Sequence, residues 1–363
     1  MTLEKRRDDP KLVVITWLMT RVVYLLVLFR IVETSRRSVV DVLSNWDVAH
    51  FTGIATEGYV QQANQAFFPG LPLLMRLLDA FGINMVIGAA IAANIASLLA
   101  VWALYRLFGS TVACLWCLAP MGVFTAVGYT ESFFAAAGFW AWQRADARRW
   151  GQAAALAGLA CTLRVSGLFL IAGLGIMALV QDERMLDRIR NAAWLLVPAA
   201  VLGAHAVFLY RLTGDWGAWY SAQNSGWQRS LAWPWEGLRA TWPMTSQAYW
   251  APRSDAVAAM FRWEIVSVIV GYVTVVWCLV RRRWAEAAWV GAAVLALSCS
   301  GWFISVNRAV LLWFPTFVLI GDLLSRRVGS RITRWLVGGA LVLADVATMA
   351  WWAWQYGTGG WAS

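Results

Sequence analysis

Apolar runs close to the ~20 residues that cross a ~30 Å hydrocarbon core recur along the whole chain, each bounded by charge. A water-soluble domain carries roughly 25% charged residues. Here 14% of 363 residues are charged and 60% are hydrophobic, which sets soluble folds aside and predicts an all-α polytopic membrane protein.

Reading spans from apolar runs and orientation from arginine clusters predicts about eleven transmembrane helices in one integral membrane domain, residues 1–363. Residues 12–32 follow a basic N-terminus and run from the cytoplasm outward. Spans near 83–106, 110–127 and 129–143 come next, the last ending in "QRADARRW". Residues 151–180 read as two short spans with Arg164 at the outer turn. Spans near 191–210, 258–280, 285–303, 309–324 and 335–354 complete the set, with "RRRW" and "SRRVGSRITR" on the cytoplasmic side. Two large extracytoplasmic loops, 33–82 and 211–257, interrupt the pattern and are expected to contain short interfacial helices.

The net charge of +10 then records topology, because Lys and Arg collect in cytoplasmic loops, and it does not imply nucleic acid. The five cysteines all fall in apolar stretches, where a thiol acts as a small hydrophobe. "MTLEKRRDDPK" leads into a retained first span, with no cleavable signal pattern. No metal-ligand spacing stands out, and neither a metal nor another cofactor is expected. Most of the 26 Trp residues suit headgroup anchoring, but "DWGAWYSAQNSGWQRSLAWPWEGL" is dense enough to cover a lipid or sugar site.

The first loop holds the polar residues that anchoring does not explain, in "NWDVAHFTGIATEGYVQQANQAFFPG", residues 45–70. On a helix, Asp47 and His50 lie on adjacent strips and can face one bound molecule, with Trp46 beside them. Asp47 suits a general base; equally, an Asp there can cap the helix. Glu57 is a candidate for the sugar site or a loop salt bridge, and Glu131 in "GYTESFF" is the rival carboxylate. Arg164, Arg308 and Arg229 are candidates for holding a phosphate, since guanidinium matches phosphate oxygens bidentately. Each alone also reads as an arginine reaching to headgroups, as do Arg21 and Arg262. His205 lies in a span and reads as structural. Both loops face away from the cytoplasm and its nucleotide sugars, so the energy source must arrive another way, and a lipid-phosphate-linked donor fits.

These residues together resemble the glycosylphosphatidylinositol mannosyltransferase II family of the GT-C superfamily. The first-loop signature is carried by Trp46, Asp47, His50, Phe51, Ile54, Ala55, Gly58, Tyr59, Ala66, Phe67, Phe68, Pro69, Gly70, Pro72 and Leu73. "LAPMGVFTAVGYTESFFAAAGF", "TLRVSGL", "WYSAQNSGW" and "NRAVLLWFP" are similar to later family segments, in the same order. The likeness runs from about residue 45 to about 320.

The resemblance implies a GT-C fold and an inverting transferase that moves mannose from a β-linked polyprenyl-phosphate donor to a hydroxyl, making an α-glycosidic bond. Asp47 would be the base, and Tyr59, Tyr220 and Gln223 would join Trp46, His50, Glu57 and Glu131 in shaping the sugar or acceptor site. Where eukaryotic members carry an acidic residue and a histidine after the Gly-Tyr, this chain has Gln62 and Ala63. A mannolipid, lipoglycan or surface polymer in a bacterial plasma membrane then suits the acceptor. A lipid-linked sugar flippase, or a non-catalytic assembly subunit, is the competing reading.

Overall fold

The structure is a computed structural model, describing residues 9–181, 184–252, 255–325 and 331–362. Every named element in them is helical, and the only extended pairing there is the isolated bridge between Leu231 and Ser300.

Among the described residues, four helices are long and apolar enough to cross a membrane: Pro10–Ser35, Met85–Phe108, Met185–Thr213 and Asp255–Val280. A fifth crossing results if Val306–Leu312 and Phe314–Ser325, bent by 77°, count as one. With its shorter apolar helices Gly167–Val180 and Trp284–Ser298, the chain is a multi-pass membrane protein. Pro10–Ser35 exposes Leu18, Leu25, Leu26 and Phe29 along its length, as a lipid-facing helix does.

Local chemistry sets the helix ends. Asp9 caps Pro10–Ser35 by accepting from the Lys11 N–H at 2.9 Å, and Asn84 caps Met85–Phe108 through the N–H groups of Val86 and Ile87. The expected span at 110–127 is instead the helix Ser110–Cys117 followed by a 3-10 turn at Gly122–Thr125. Pro120, which has no N–H to donate and a ring that crowds the preceding turn, ends the helix there. Residues 151–180 form two helices, Trp150–Cys161 and Gly167–Val180, with Arg164 in the turn between them.

The core lies where Thr130–Asp146, Gly167–Val180, Trp284–Ser298 and Phe314–Ser325 meet. Trp142, Trp289 and Phe314 pack there with centroids 5.2 to 5.3 Å apart. A Cβ on Gly173 would lie 2.9 Å from the Trp289 Cβ and 3.1 Å from the Ala285 carbonyl. Its absence lets two helices approach, the usual role of small residues between membrane helices.

The two loops fold into short helices that touch. The first contributes Val39–Leu43, Asp47–Glu57, a 3-10 turn at Gln62–Ala66 and Gly70–Ala80. From the second, Ala218–Trp227 packs on the 3-10 turn, with the Trp219 Nε1–H donating to the Ala66 carbonyl at 3.2 Å. Gly70 docks the first loop on the arginine turn: its N–H donates to the Thr162 carbonyl at 2.7 Å, and a Cβ there would lie 2.6 Å from Thr162 Oγ1.

Candidate active site

Asp47 opens the helix Asp47–Glu57 at its first position. Trp46 before it has φ 58° and ψ −124°, a conformation that costs a non-glycine residue about 1–3 kcal/mol and persists only where neighbours enforce it. The C-terminal helix Arg331–Gly357 and the segment after it supply that force. Asn45 Nδ2 donates to the Tyr356 carbonyl at 2.8 Å, the Tyr356 hydroxyl donates to the Leu43 carbonyl at 2.9 Å, and the Trp46 Nε1–H donates to the Gly360 carbonyl at 3.1 Å. No side chain caps this helix, so the Asp47 carboxylate is not spent on its own backbone. The Asp47 N–H donates to the Tyr129 hydroxyl at 3.1 Å, and Oδ2 accepts from Arg308 Nη1 at 2.5 Å.

Arg308 is fixed from behind. It follows Ser305, whose φ of 64° starts the short helix Val306–Ala309, and the exposed N–H groups of that start converge on one acid. Glu264, fully buried in Asp255–Val280, accepts from the N–H groups of Ser305, Val306 and Asn307 at 2.9, 2.7 and 3.1 Å. Three orphan donors at a helix N-terminus are thus satisfied at once. Asn307 adds hydrogen bonds to Ser267 and to the Met260 carbonyl. The Arg308 guanidinium lies over the rings of Tyr129 and Phe124, 5.3 and 5.8 Å from their centroids.

Around that pair stand the remaining charges. Glu131, fully buried at the start of Thr130–Asp146, is ion-paired with Arg164, and its Oε1 is 3.6 Å from Arg308 Nε. Arg164 also donates to Thr130 Oγ1 at 3.0 Å. Arg229 donates to the Ile304 carbonyl at 2.7 Å and has no ion pair among the described residues. Its Nε is buried without a hydrogen-bond partner. Burial first, and the charge of Arg308 second, lower the Arg229 pKa from the usual 12.5 to about 10.

All three guanidiniums line one cavity of 360 Å³. Gln223, Phe67 and Trp227 form part of its polar and aromatic wall; Leu168, Phe169, Ala293 and Leu297, from Gly167–Val180 and Trp284–Ser298, form an apolar one. Asp47 stands behind Arg308. His50 bonds Asn64 Oδ1 through Nδ1 at 3.0 Å, with centroids 5.0 Å from Phe67 and 5.6 Å from Trp227. Such a cavity offers an anion three guanidinium groups and a long apolar chain a greasy channel. Among the described residues, no three His, Cys, Asp or Glu side chains gather in a group that could hold a metal ion.

Other candidates lie elsewhere. Glu57 is exposed at the far end of its helix. Tyr59 donates to the Phe67 carbonyl and lines a separate lateral groove with Phe68, Arg76 and His205, whose ring nitrogens have no protein partner. The Tyr220 hydroxyl accepts from the Leu231 N–H. Arg21 is buried among Asn94, Thr125 and the rings of Trp17 and Tyr24 and does not reach to headgroups, whereas exposed Arg262 pairs with Asp255. Tyr129 and Glu264 were not singled out from the sequence. An acid in the interior of an apolar helix, two residues after Arg262, was the available signal for Glu264.

The family described as mannosyltransferase (PIG-V) matches residues 23–189, the stretch that carries Asp47, Glu131 and Arg164. Among curated proteins, GPI alpha-1,6-mannosyltransferase 2 of Rattus norvegicus is 34% identical over 145 residues, 35% of this chain and 30% of that protein. The Homo sapiens protein of the same name is 34% identical over 145 residues, covering 35% and 29%. The match therefore spans less than a third of those relatives' length. The chain is also similar in fold to the crystal structure of ArnT from Cupriavidus metallidurans bound to undecaprenyl phosphate. That likeness has a TM-score of 0.52 and 16% identity, over 94% of this chain and 69% of ArnT. At that identity the similarity is one of architecture alone.

Proposed function

We propose that the protein is an inverting membrane mannosyltransferase that takes mannose from a polyprenyl-phosphate donor and delivers it to a hydroxyl of a lipid-linked or surface glycan. The observation that carries this reading is the cavity, with Arg164, Arg229 and Arg308 at one end and an apolar wall at the other, and Asp47 bound to one of those arginines. The PIG-V match supplies the sugar, and the fold shared with a structure that holds undecaprenyl phosphate supports the donor class.

The donor phosphate seats on the three arginines and its prenyl chain lies along Leu168, Phe169 and Leu297. Phosphate oxygens compete with Asp47 for Arg308, which frees the carboxylate as the donor binds. The acceptor oxygen attacks the anomeric carbon opposite the phosphate and its proton passes to Asp47. The bond from the anomeric carbon to the phosphate oxygen breaks, and the leaving polyprenyl phosphate carries away the electron pair. Arginine charge takes up the negative charge that develops there, as fixed donors do at sites of charge build-up. A β-linked donor gives an α-linked product. The fold then has its N-terminus in the cytoplasm, about eleven crossings and both loops on the extracytoplasmic face of a bacterial plasma membrane.

The test is product analysis. Purified protein, a synthetic β-linked polyprenyl-phosphate mannose and a total glycolipid extract should yield a new α-linked mannoside and free polyprenyl phosphate. A protein that carries labelled donor between vesicle leaflets and releases no polyprenyl phosphate would establish the flippase instead.

A further inference from the structure

A second, open cleft lies beside the arginine cavity, on the other side of Trp227. It measures 540 Å³, and Trp227, Tyr249, Trp250, Trp302 and Trp361 contribute to its walls together with Gln228. Trp227 lines both spaces. Ile304, whose carbonyl holds Arg229, lines this cleft, while the next residue, Ser305, lines the arginine cavity.

The aromatic walls are built. Phe261, fully buried, stacks against Trp250 at 5.2 Å and against Trp302 at 5.6 Å, and packs on Trp361 at 5.7 Å. The Trp302 Nε1–H donates to the Trp227 carbonyl at 3.0 Å, and the Trp250 Nε1–H to the Met244 carbonyl at 2.7 Å. Headgroup anchors project singly into the interface; these rings converge on one concave space. Trp361 also meets the Trp46 ring edge-on at 5.8 Å, so a wall of the cleft touches the residue that precedes Asp47 in the chain.

Flat aromatic faces beside amide and hydroxyl groups match a pyranose, which has a face of C–H bonds and a rim of hydroxyls. We propose that this cleft binds a pyranose ring of the acceptor and presents its hydroxyl toward Asp47, with Trp227 dividing acceptor from donor. The proposal rests on the transferase reading and names the part of the substrate that reading leaves open.

Two variants and two measurements test it. Tyr249 is exposed at the rim, so Tyr249→Ala removes one wall without opening the core; Trp250→Leu removes a second. In turnover, each should raise the acceptor KM at least about tenfold while the donor KM moves less than about twofold. Independently, saturation-transfer NMR on the detergent-solubilised wild type with methyl pyranosides of mannose, glucose, galactose and glucosamine should show transfer to at least one sugar. That transfer should persist in Arg229→Gln and fall in both cleft variants. Turnover with an unchanged acceptor KM overturns the cleft and leaves the transferase standing. Sugar contact that both variants retain, or no contact with any pyranoside, also overturns it. Cleft-dependent sugar contact in a wild type that consumes no donor overturns the transferase and keeps a glycan site.

Discussion

Arg308 and Asp47, 261 positions apart in the chain, meet through a 2.5 Å hydrogen bond from Nη1 to Oδ2, with their side chains 12% and 13% exposed. Trp46, immediately before Asp47, and Ser305, three positions before Arg308, both have positive φ. Each partner is therefore aimed by a backbone conformation that its surroundings hold in place.

Breaking that pair leaves a charge poorly solvated. Removing one partner of a buried ion pair costs about 3–5 kcal/mol, so Arg308→Met should lower the thermal midpoint in detergent by roughly 5 °C or more and abolish turnover. Combining it with Asp47→Asn should restore much of the stability and none of the activity. Additive losses in that double-mutant cycle would show that the two side chains are not coupled.

Glu264 does not line the cavity; it holds the start of the helix that carries Arg308 through the N–H groups of Ser305, Val306 and Asn307. Glu264→Ala strands three backbone N–H groups at about 1–3 kcal/mol each, which should cut kcat and destabilise the protein together. Glu264→Gln keeps one carbonyl acceptor and should recover part of kcat. Equal kcat in both variants would dismiss the positioning role.

Among the described residues, Arg229 is the cavity cation with no ion-paired carboxylate, whereas Arg164 pairs with Glu131 and Arg308 with Asp47. A charge-assisted hydrogen bond contributes about 1.5–3 kcal/mol, so Arg229→Gln should raise the donor KM roughly 10- to 100-fold. Its pKa is lowered to about 10, so the guanidinium is charged below that pH and loses its proton as pH rises through it. Donor KM should accordingly climb between about pH 9 and 11 in the wild type and stay flat there in Arg229→Gln. An identical pH profile in the two proteins would remove Arg229 from the donor site.

Gly70 ties the first loop to the turn that holds Arg164. Gly70→Ala places a methyl 2.6 Å from Thr162 Oγ1 and 2.8 Å from its carbonyl oxygen, so the turn has to shift. Donor KM should rise several-fold with little change in expression. A variant with wild-type kinetics would show that the contact does not set the position of Arg164.

Much of this was legible because hydropathy and charge are local signals. The helical class, the pair of helices around Arg164 and the two loop regions follow from runs and their boundaries, and Pro120 marks in sequence the break that shortens the run at 110–127. Arg164, Arg229 and Arg308 stood out as cations among apolar neighbours, and they line one cavity. What periodicity cannot carry is pairing across the chain: Tyr129 beneath Asp47, or Glu264 beneath Ser305, Val306 and Asn307. The signature likewise does not say which of its residues share a site. Helical rise alone puts Glu57 about 15 Å along the axis from Asp47, and the Gly58–Tyr59 end faces the lateral groove.

The most direct measurement is the initial rate of mannosyl transfer by Asp47→Asn against the wild type, at saturating donor and acceptor. Asn keeps the size of Asp and an oxygen for Arg308 but cannot take up the acceptor proton. The rate should fall about 10²- to 10⁴-fold, with donor affinity within a few-fold of wild type and the protein still folded. Turnover within a few-fold of wild type would contradict the assignment of Asp47 as the base.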